Sequence, residues 1–268
     1  MTPDQEKAEN WWHTDIIDMQ PGSIRFRGYA IEDLIGTIGF VDMIWLMLRG
    51  DLPTAAQADL LGAALVAGVD HGPQAPSIAI ARMAMTCGVG INSAMASAVN
   101  VLGDVHGGAG EQALAFYHAI LARADGDIPA AATRAVEEAL AAKTQIGGFG
   151  HRFHPIDPRA PKLLALVDAA TAAGTIGGQL ATVARAVEAA LERAKGRRIP
   201  MNIDGATAVI FGELGFPPPL CRGLFILSRS VGVLAHAYEQ SQQGGRNKGP
   251  LPKGWRWTYE GNPHRKPE

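Results

Sequence analysis

Three short stretches carry groups able to move protons: His106-Gly107-Gly108, Gly148-Phe149-Gly150-His151-Arg152 and Asn202-Ile203-Asp204. Each sets one titratable side chain at a glycine-rich or irregular point between segments that read as helix. Two imidazoles and a carboxylate supply what enol chemistry needs: one group moves a proton at carbon, another holds the enol oxygen, and a third serves a second carbonyl oxygen. Brought together, the three suffice to make or break a carbon–carbon bond beside a thioester.

Each residue also has a plainer reading. His106 fits a buried histidine at a tight helical junction as well as a group brought close to substrate by Gly107-Gly108. The loop Gly147 to Arg152, followed by Asp157-Pro158-Arg159, is either an ordinary glycine-rich turn or a cradle for phosphate or carboxylate, since backbone N–H groups and guanidinium forks both suit anions. No hydrophobic strand precedes it, which argues against a dinucleotide fold. His151, His154 and Asp157 have the spacing of metal ligands, but Pro155 and Pro158 break the helix that would align them, so no metal site is expected. Asp204 precedes the apolar stretch Ala206 to Leu214 and can be a helix N-cap or a catalyst. His71, in Asp70-His71-Gly72-Pro73, can close a turn or bind a ligand. Arg229 interrupts an apolar helix and needs an anionic partner, either a structural carboxylate or a substrate. His236 and Glu239 read as packing or surface groups, and Cys87 and Cys221 as core residues.

Helical periodicity dominates the elements that must position these groups. Val183, Val187, Ala190, Leu191 and Ala194 form a buried stripe ended by Gly196 and Pro200. Ala130 to Lys143, introduced by Asp127 and Pro129, repeats the pattern, and Leu163 to Ala173 and Arg222 to Gln240 are further helices. Ser23 to Arg27 is the best strand signal. Glycines and prolines after Gln240 predict a non-helical arm, and Trp255 and Trp257 on it are expected to pack on their own subunit or a neighbour.

The 268 residues suit one large domain or two modest ones, and the formal charge of -2 gives no electrostatic reason to expect nucleic acid or an anionic membrane as partner. Two unpaired cysteines and a polar, acidic N-terminus lead to the expectation of a cytoplasmic protein without a secretory signal. Leu60 to Val69, the longest mildly apolar run considered, is too short to span a bilayer.

Taken in order, the motifs resemble the citrate synthase superfamily. They are Pro21 to Tyr29, Leu48-Arg49-Gly50-Asp51-Leu52-Pro53, Asp70 to Pro73, His106 to Glu111, Gly148 to Arg152, Asp157-Pro158-Arg159-Ala160, Asn202 to Asp204 and Ser228 to Gly232. The resemblance implies an all-α homodimer or dimer-based oligomer, with a shortened large helical domain (1–105 and 211–268) and a smaller mobile CoA-binding domain (106–210). It implies that Asp204 is the acid or base at the acetyl α-carbon, His106 holds the thioester oxygen and His151 serves the oxaloacetate carbonyl. By the same resemblance His71, Arg159 and Arg229 bind the dicarboxylate, Arg246 is the candidate reaching a partner's site, and Gly148, Phe149, Gly150 and Arg152 contact CoA. The CoA thioester is substrate, and no bound cofactor is implied.

Family members are usually longer, the missing part being a helical segment between about Leu61 and Asp70. Shortness and the Asp-His-Gly-Pro wording look more like citryl-CoA lyases and the lyase module of ATP-citrate lyase, although this chain, unlike that module, keeps His106. The expected activity is therefore cleavage of citryl-CoA to acetyl-CoA and oxaloacetate. A short citrate or 2-methylcitrate synthase, and a non-catalytic acyl-CoA binder, are the alternatives.

Overall fold

The computed structural model describes residues 2–247, 249, 252 and 254–267; Lys248 and Pro250 of the predicted arm lie outside the described residues. The chain opens with α1 (Pro3–Trp11) and an antiparallel meander of β1 (Ile17–Gln20), β2 (Ser23–Phe26) and β3 (Tyr29–Ala30). Ile17 pairs with Phe26 and Gln20 with Ser23, so the predicted strand signal forms the middle of the sheet. Arg27 and Gly28 join β2 to β3 with positive φ at both residues, 49° and 90°, the twist a two-residue hairpin favours. The rest is helical: α2 (Ile31–Leu34), α3 (Phe40–Arg49), α4 (Ala55–Gly68), α5 (Pro76–Thr86), α6 (Ile91–Val99), α7 (Ala109–Ala122), α8 (Ile128–Ala141), α9 (Arg159–Ala172), α10 (Gln179–Lys195), α11 (Ile203–Glu213) and α12 (Pro218–Gln242).

The predicted helices appear with small shifts at their ends. Asp127 caps α8 by accepting from Ala130 N at 2.9 Å, and Gly196 ends α10 in the left-handed conformation. The helix expected from Arg222 starts four residues earlier, at Pro218. By length and composition α12 is apolar enough to cross a membrane. Cys221, Leu224, Val233 and Ala237 are core residues, so packing accounts for part of that apolarity.

Packing divides the chain into two compact units: Met1–Val69 with Gly103–Arg229, and Asp70–Leu102 with Ser230–Glu268. The stretch 106–210, expected from the resemblance as a smaller domain, lies wholly within the first unit and shares its core with α4. In that unit α11 is the centre, packed on α4, α7, α9 and α10, with every residue from Gly205 to Phe211 buried. A helix apolar on all sides belongs in such a place. In the second unit Ile78 and Ala81 of α5, Ala94 and Ala98 of α6, and Val233 and Ala237 of α12 make a separate small core.

Two expectations are corrected and a third is narrowed. Cys87 caps the C-terminus of α5 and is exposed, because the chain turns outward there. Trp255 and Trp257 are 71% and 87% exposed, which leaves a neighbouring subunit as the one of the two expected packing partners still open to them. His236 is an organising group of the second unit: its Nε2 lies 3.3 Å from Asp70 and its Nδ1 3.2 Å from Arg82, which also holds Glu239 and Gln243.

The N-terminus of α10 depends on a side chain from elsewhere. Glu213, at the end of α11, accepts from Gly178 N at 2.8 Å and Leu180 N at 2.6 Å. Replacing it by Ala orphans these donors, and we expect a loss of about 1–2 kcal/mol, the upper range for a cap, measured by urea unfolding.

Candidate active site

Loops against two helix starts create the site in the first unit. Gly148 O accepts from Asn202 N at 2.9 Å, and Gly150 N donates to Pro200 O at 2.7 Å. Asn202 Nδ2 also donates to Gly150 O at 2.7 Å. These bonds tie the His151 loop to the chain entering α11. Glycine is required for the contact: a Cβ on Gly148 would stand 2.8 Å from Gly205 Cα, and one on Gly147 2.8 Å from Ala109 O. Gly147 and Gly148 are thus wedged between the first turn of α7, just after His106, and the first turn of α11, which carries Asp204. The wedge brings together the segments that carry His106, His151 and Asp204.

The capping question at α11 is decided for Asn202, whose Oδ1 accepts from Asp204 N at 2.9 Å and Gly205 N at 3.2 Å. Among the described residues the Asp204 carboxylate has no hydrogen-bond or ion-pair partner. Burial raises its pKa, opposed by the positive charges of Arg159 and Arg229 and assisted by Asp157.

Asp157 lies in the opposite environment. It is 1% exposed; Oδ1 accepts from Arg159 Nε at 2.9 Å and Arg159 N at 3.1 Å, while Oδ2 accepts from Arg159 Nη2 at 2.9 Å and Ile203 N at 3.0 Å. Burial works to raise its pKa, yet the Arg159 fork and these N–H donors outweigh burial and bring it down to about 2. Arg159 was expected to hold a substrate carboxylate; the carboxylate it grips here is that of Asp157.

Both histidines are held toward the neutral form. Burial lowers the pKa of His106, with Arg229 adding to the effect. Burial lowers that of His151 too, opposed by Asp157 and reinforced by His154 and Arg159. His151 Nδ1 accepts from Phe153 N and His154 N, each at 3.1 Å, so its neutral ring carries the proton on Nε2. Arg229 is 5% exposed; its Nε donates to Gly68 O at 3.0 Å and its guanidinium lies 4.9 Å from the Phe225 ring centre.

The residues expected to touch CoA are placed less uniformly. Gly148 O and both backbone polar groups of Gly150 enter the pairing with residues 200–202, Phe149 packs edge-on against buried Tyr117, and Arg152 is exposed over Phe153. A cavity of about 630 Å³ opens beside them, lined by Val105, Ala109, Gln112, Phe116, Ile146 and Gly147 among others. Its lining escaped sequence reading because small and apolar residues at helix starts carry no chemical signature. His71 and Arg246 are exposed and belong to the second unit.

The helical fold is that of the citrate synthases. The family profile for the citrate synthase C-terminal domain matches residues 8–63 and 54–251, and the chain belongs to the citrate synthase family. A citrate synthase of Haloferax volcanii is 32% identical over 197 residues, covering 72% of this chain and 49% of that protein. The chain thus spans about half the length of the citrate synthase relatives it matches. The structure of a citryl-CoA lyase from Hydrogenobacter thermophilus superposes with a TM-score of 0.84 at 33% identity, covering 95% of this chain and 96% of that one. An ATP citrate lyase from Methanothrix soehngenii, solved with citrate and coenzyme A, shares the fold at TM-score 0.79 and 22% identity over 97% of this chain and 45% of its own.

The Asp157 geometry has a measurable consequence in acid. Its pKa falls from 3.8 to about 2 on folding, so its contribution is fully present above the unfolded value and disappears as pH falls through about 2. We expect Asp157→Asn to cost about 2 kcal/mol at pH 7, since each tenfold change in proton affinity is worth about 1.4 kcal/mol, with the difference from wild type narrowing below about pH 4. Urea unfolding at neutral pH and again in acid, at about pH 3, checks this; an equal difference in both would contradict it.

Proposed function

We propose that this chain is a citryl-CoA lyase, cleaving citryl-CoA to acetyl-CoA and oxaloacetate. The end-to-end match at 33% identity with the Hydrogenobacter thermophilus citryl-CoA lyase carries this reading, against matches over about half the length of the curated citrate synthases. In the proposed reaction the substrate hydroxyl loses its proton at His151 and its oxygen becomes the oxaloacetate carbonyl. The bonding pair of the broken carbon–carbon bond passes to the acetyl unit, whose enolate oxygen His106 holds as a neutral donor. Asp204, with its pKa raised, returns a proton to the α-carbon. The 630 Å³ cavity beside the His106 loop is the assigned place of the acyl-CoA.

The matches with citrate and citrate/2-methylcitrate synthases favour a second reading, a short citrate or 2-methylcitrate synthase. Neutral His151 with its proton on Nε2 is a donor suited to the oxaloacetate carbonyl, the starting point of condensation. Cleavage is the reverse of that step and returns the proton to Nε2 through the same states, so the tautomer favours neither direction. We also propose a dimer, supported by Val231, Leu234 and Tyr238 of the second unit, exposed at 43–60% and spaced along one stripe of α12; sedimentation velocity showing a monomer at micromolar concentration would refute it.

Purified enzyme given citryl-CoA is expected to release oxaloacetate, read through malate dehydrogenase and NADH, with acetyl-CoA and little free CoA. Free CoA with citrate marks a thioester hydrolase step and hence a synthase, and no product rejects both readings. His106→Ala and Asp204→Asn are each expected to lower kcat by about 100-fold or more, the scale of a lost proton-transfer or oxyanion group.

Cleavage needs Asp204 protonated, so its rate falls on the alkaline side through a pKa above the ordinary carboxylate range, whereas condensation rises through that same pKa. Protonation of His106 and His151 cuts both rates on the acid side, below the usual histidine range. A profile of kcat against pH in each direction checks the signs.

A further inference from the structure

His106 sits on a short irregular loop whose side-chain anchors lie two residues upstream. Asp104 accepts from Arg222 Nη2 at 2.5 Å, and its main-chain oxygen accepts from Gln112 Nε2 at 3.0 Å. Arg222, on the first turns of α12, also pairs through Nε with Glu111 of α7. One guanidinium therefore bridges the loop before His106 and the helix after it. Val105, between Asp104 and His106, is fully exposed and offers the loop no apolar anchor. The loop is also folded tightly on itself: a Cβ on Gly108 would stand 2.7 Å from Asp104 Cα.

The pair's exposure points to geometry over stability as its role. The Asp104 side chain is 78% exposed and that of Arg222 24%. An ion pair so open to water adds little to folding free energy. It can still select one conformation of a glycine-flanked loop, because Arg222 holds two carboxylates from two segments at once. Asp104 and Gln112 also line the 630 Å³ cavity, so the clamp shares a wall with the space beside His106.

We propose that Arg222 is a positioning residue: by holding Asp104 and Glu111 together it sets the loop that aims His106 at the enolate oxygen. This rests on the reading of His106 as the group that holds that oxygen. The clamp acts on enol formation through Arg222, which is not among the residues lining the cavity.

The test follows exchange of the acetyl-CoA α-protons with D2O on the full chain, with oxaloacetate present, read by NMR or mass spectrometry. Arg222→Met is expected to slow exchange about tenfold, short of the roughly 100-fold that a 1 Å misplacement of a reacting group can cost. The KM for acetyl-CoA should change less than about threefold, within the scatter of a contact that does not touch the ligand. Arg222→Lys should recover part of the rate, and the wild-type rate should fall with added NaCl while that of Arg222→Met does not, because salt screens an exposed pair. Asp104→Asn, at an exposed site that folding tolerates, should reproduce the defect, and the double variant should be no slower than the slower single.

A wild-type exchange rate in Arg222→Met and Asp104→Asn, or fully additive losses in the double variant, would overturn the proposal. His106→Ala separates the clamp from the reading it rests on. Unchanged exchange in that variant removes the reading of His106 and this inference with it. Abolished exchange beside a silent Arg222→Met removes the clamp alone.

Discussion

The buried carboxylate of Asp157 holds the site's architecture. Its two oxygens collect the Arg159 fork, the Arg159 N–H and the Ile203 N–H, so one charge closes the loop before α9 and satisfies a donor at the start of α11. A buried anion is tolerated only when its lone pairs are matched and a countercharge is in contact, and both conditions hold here. Removing Arg159 leaves the Asp157 charge unpaired in the interior. The start of α9 and the start of α11 are therefore not independent features.

From that anchor the electrostatics of the site follow. Asp157 and Asp204 lie close enough to influence each other, yet their pKa values move apart: one has the arginine fork and directed N–H donors, the other has burial without a hydrogen-bond partner among the described residues. Environments that separate two like groups are how a protein assigns structural and acid–base roles to the same side chain. Arg229 adds a buried positive charge that moderates Asp204 and disfavours a second positive charge on His106. Neutral imidazoles and a weakly acidic carboxyl are the forms that enol chemistry near neutral pH requires.

Close packing supplies the precision. The loop carrying His151 reaches α7 and α11 because Gly147 and Gly148 have no side chain where Ala109 and Gly205 stand. Backbone pairing with residues 200–202 then removes the freedom those glycines would otherwise confer. The loop is glycine-rich, so its order comes from contact with two helix starts and from Asn202, which uses one end of its amide to cap α11 and the other to grip Gly150 O.

Much of this was legible along the chain. Periodicity at 3.6 residues, caps such as Asp127 and stops such as Gly196 are local signals, so the helices and the positions of His106, His151 and Asp204 at their junctions could be read directly. The ordered motifs carried the family for the same reason: each is a short run with its own chemistry. What a residue type allows is local; which partner it meets is not. Sequence left Asp204 open between cap and catalyst, and only folding gave the cap to Asn202. The Asp157 carboxylate that holds the Arg159 fork could not be read from the sequence, although the two residues stand only two apart. Sequence passed over His236 and Arg222, whose partners stand 166 and 118 residues away in the chain. Hydrogen bonds and ion pairs are decided over a few ångströms in space, and only tertiary packing brings such distant groups within that range.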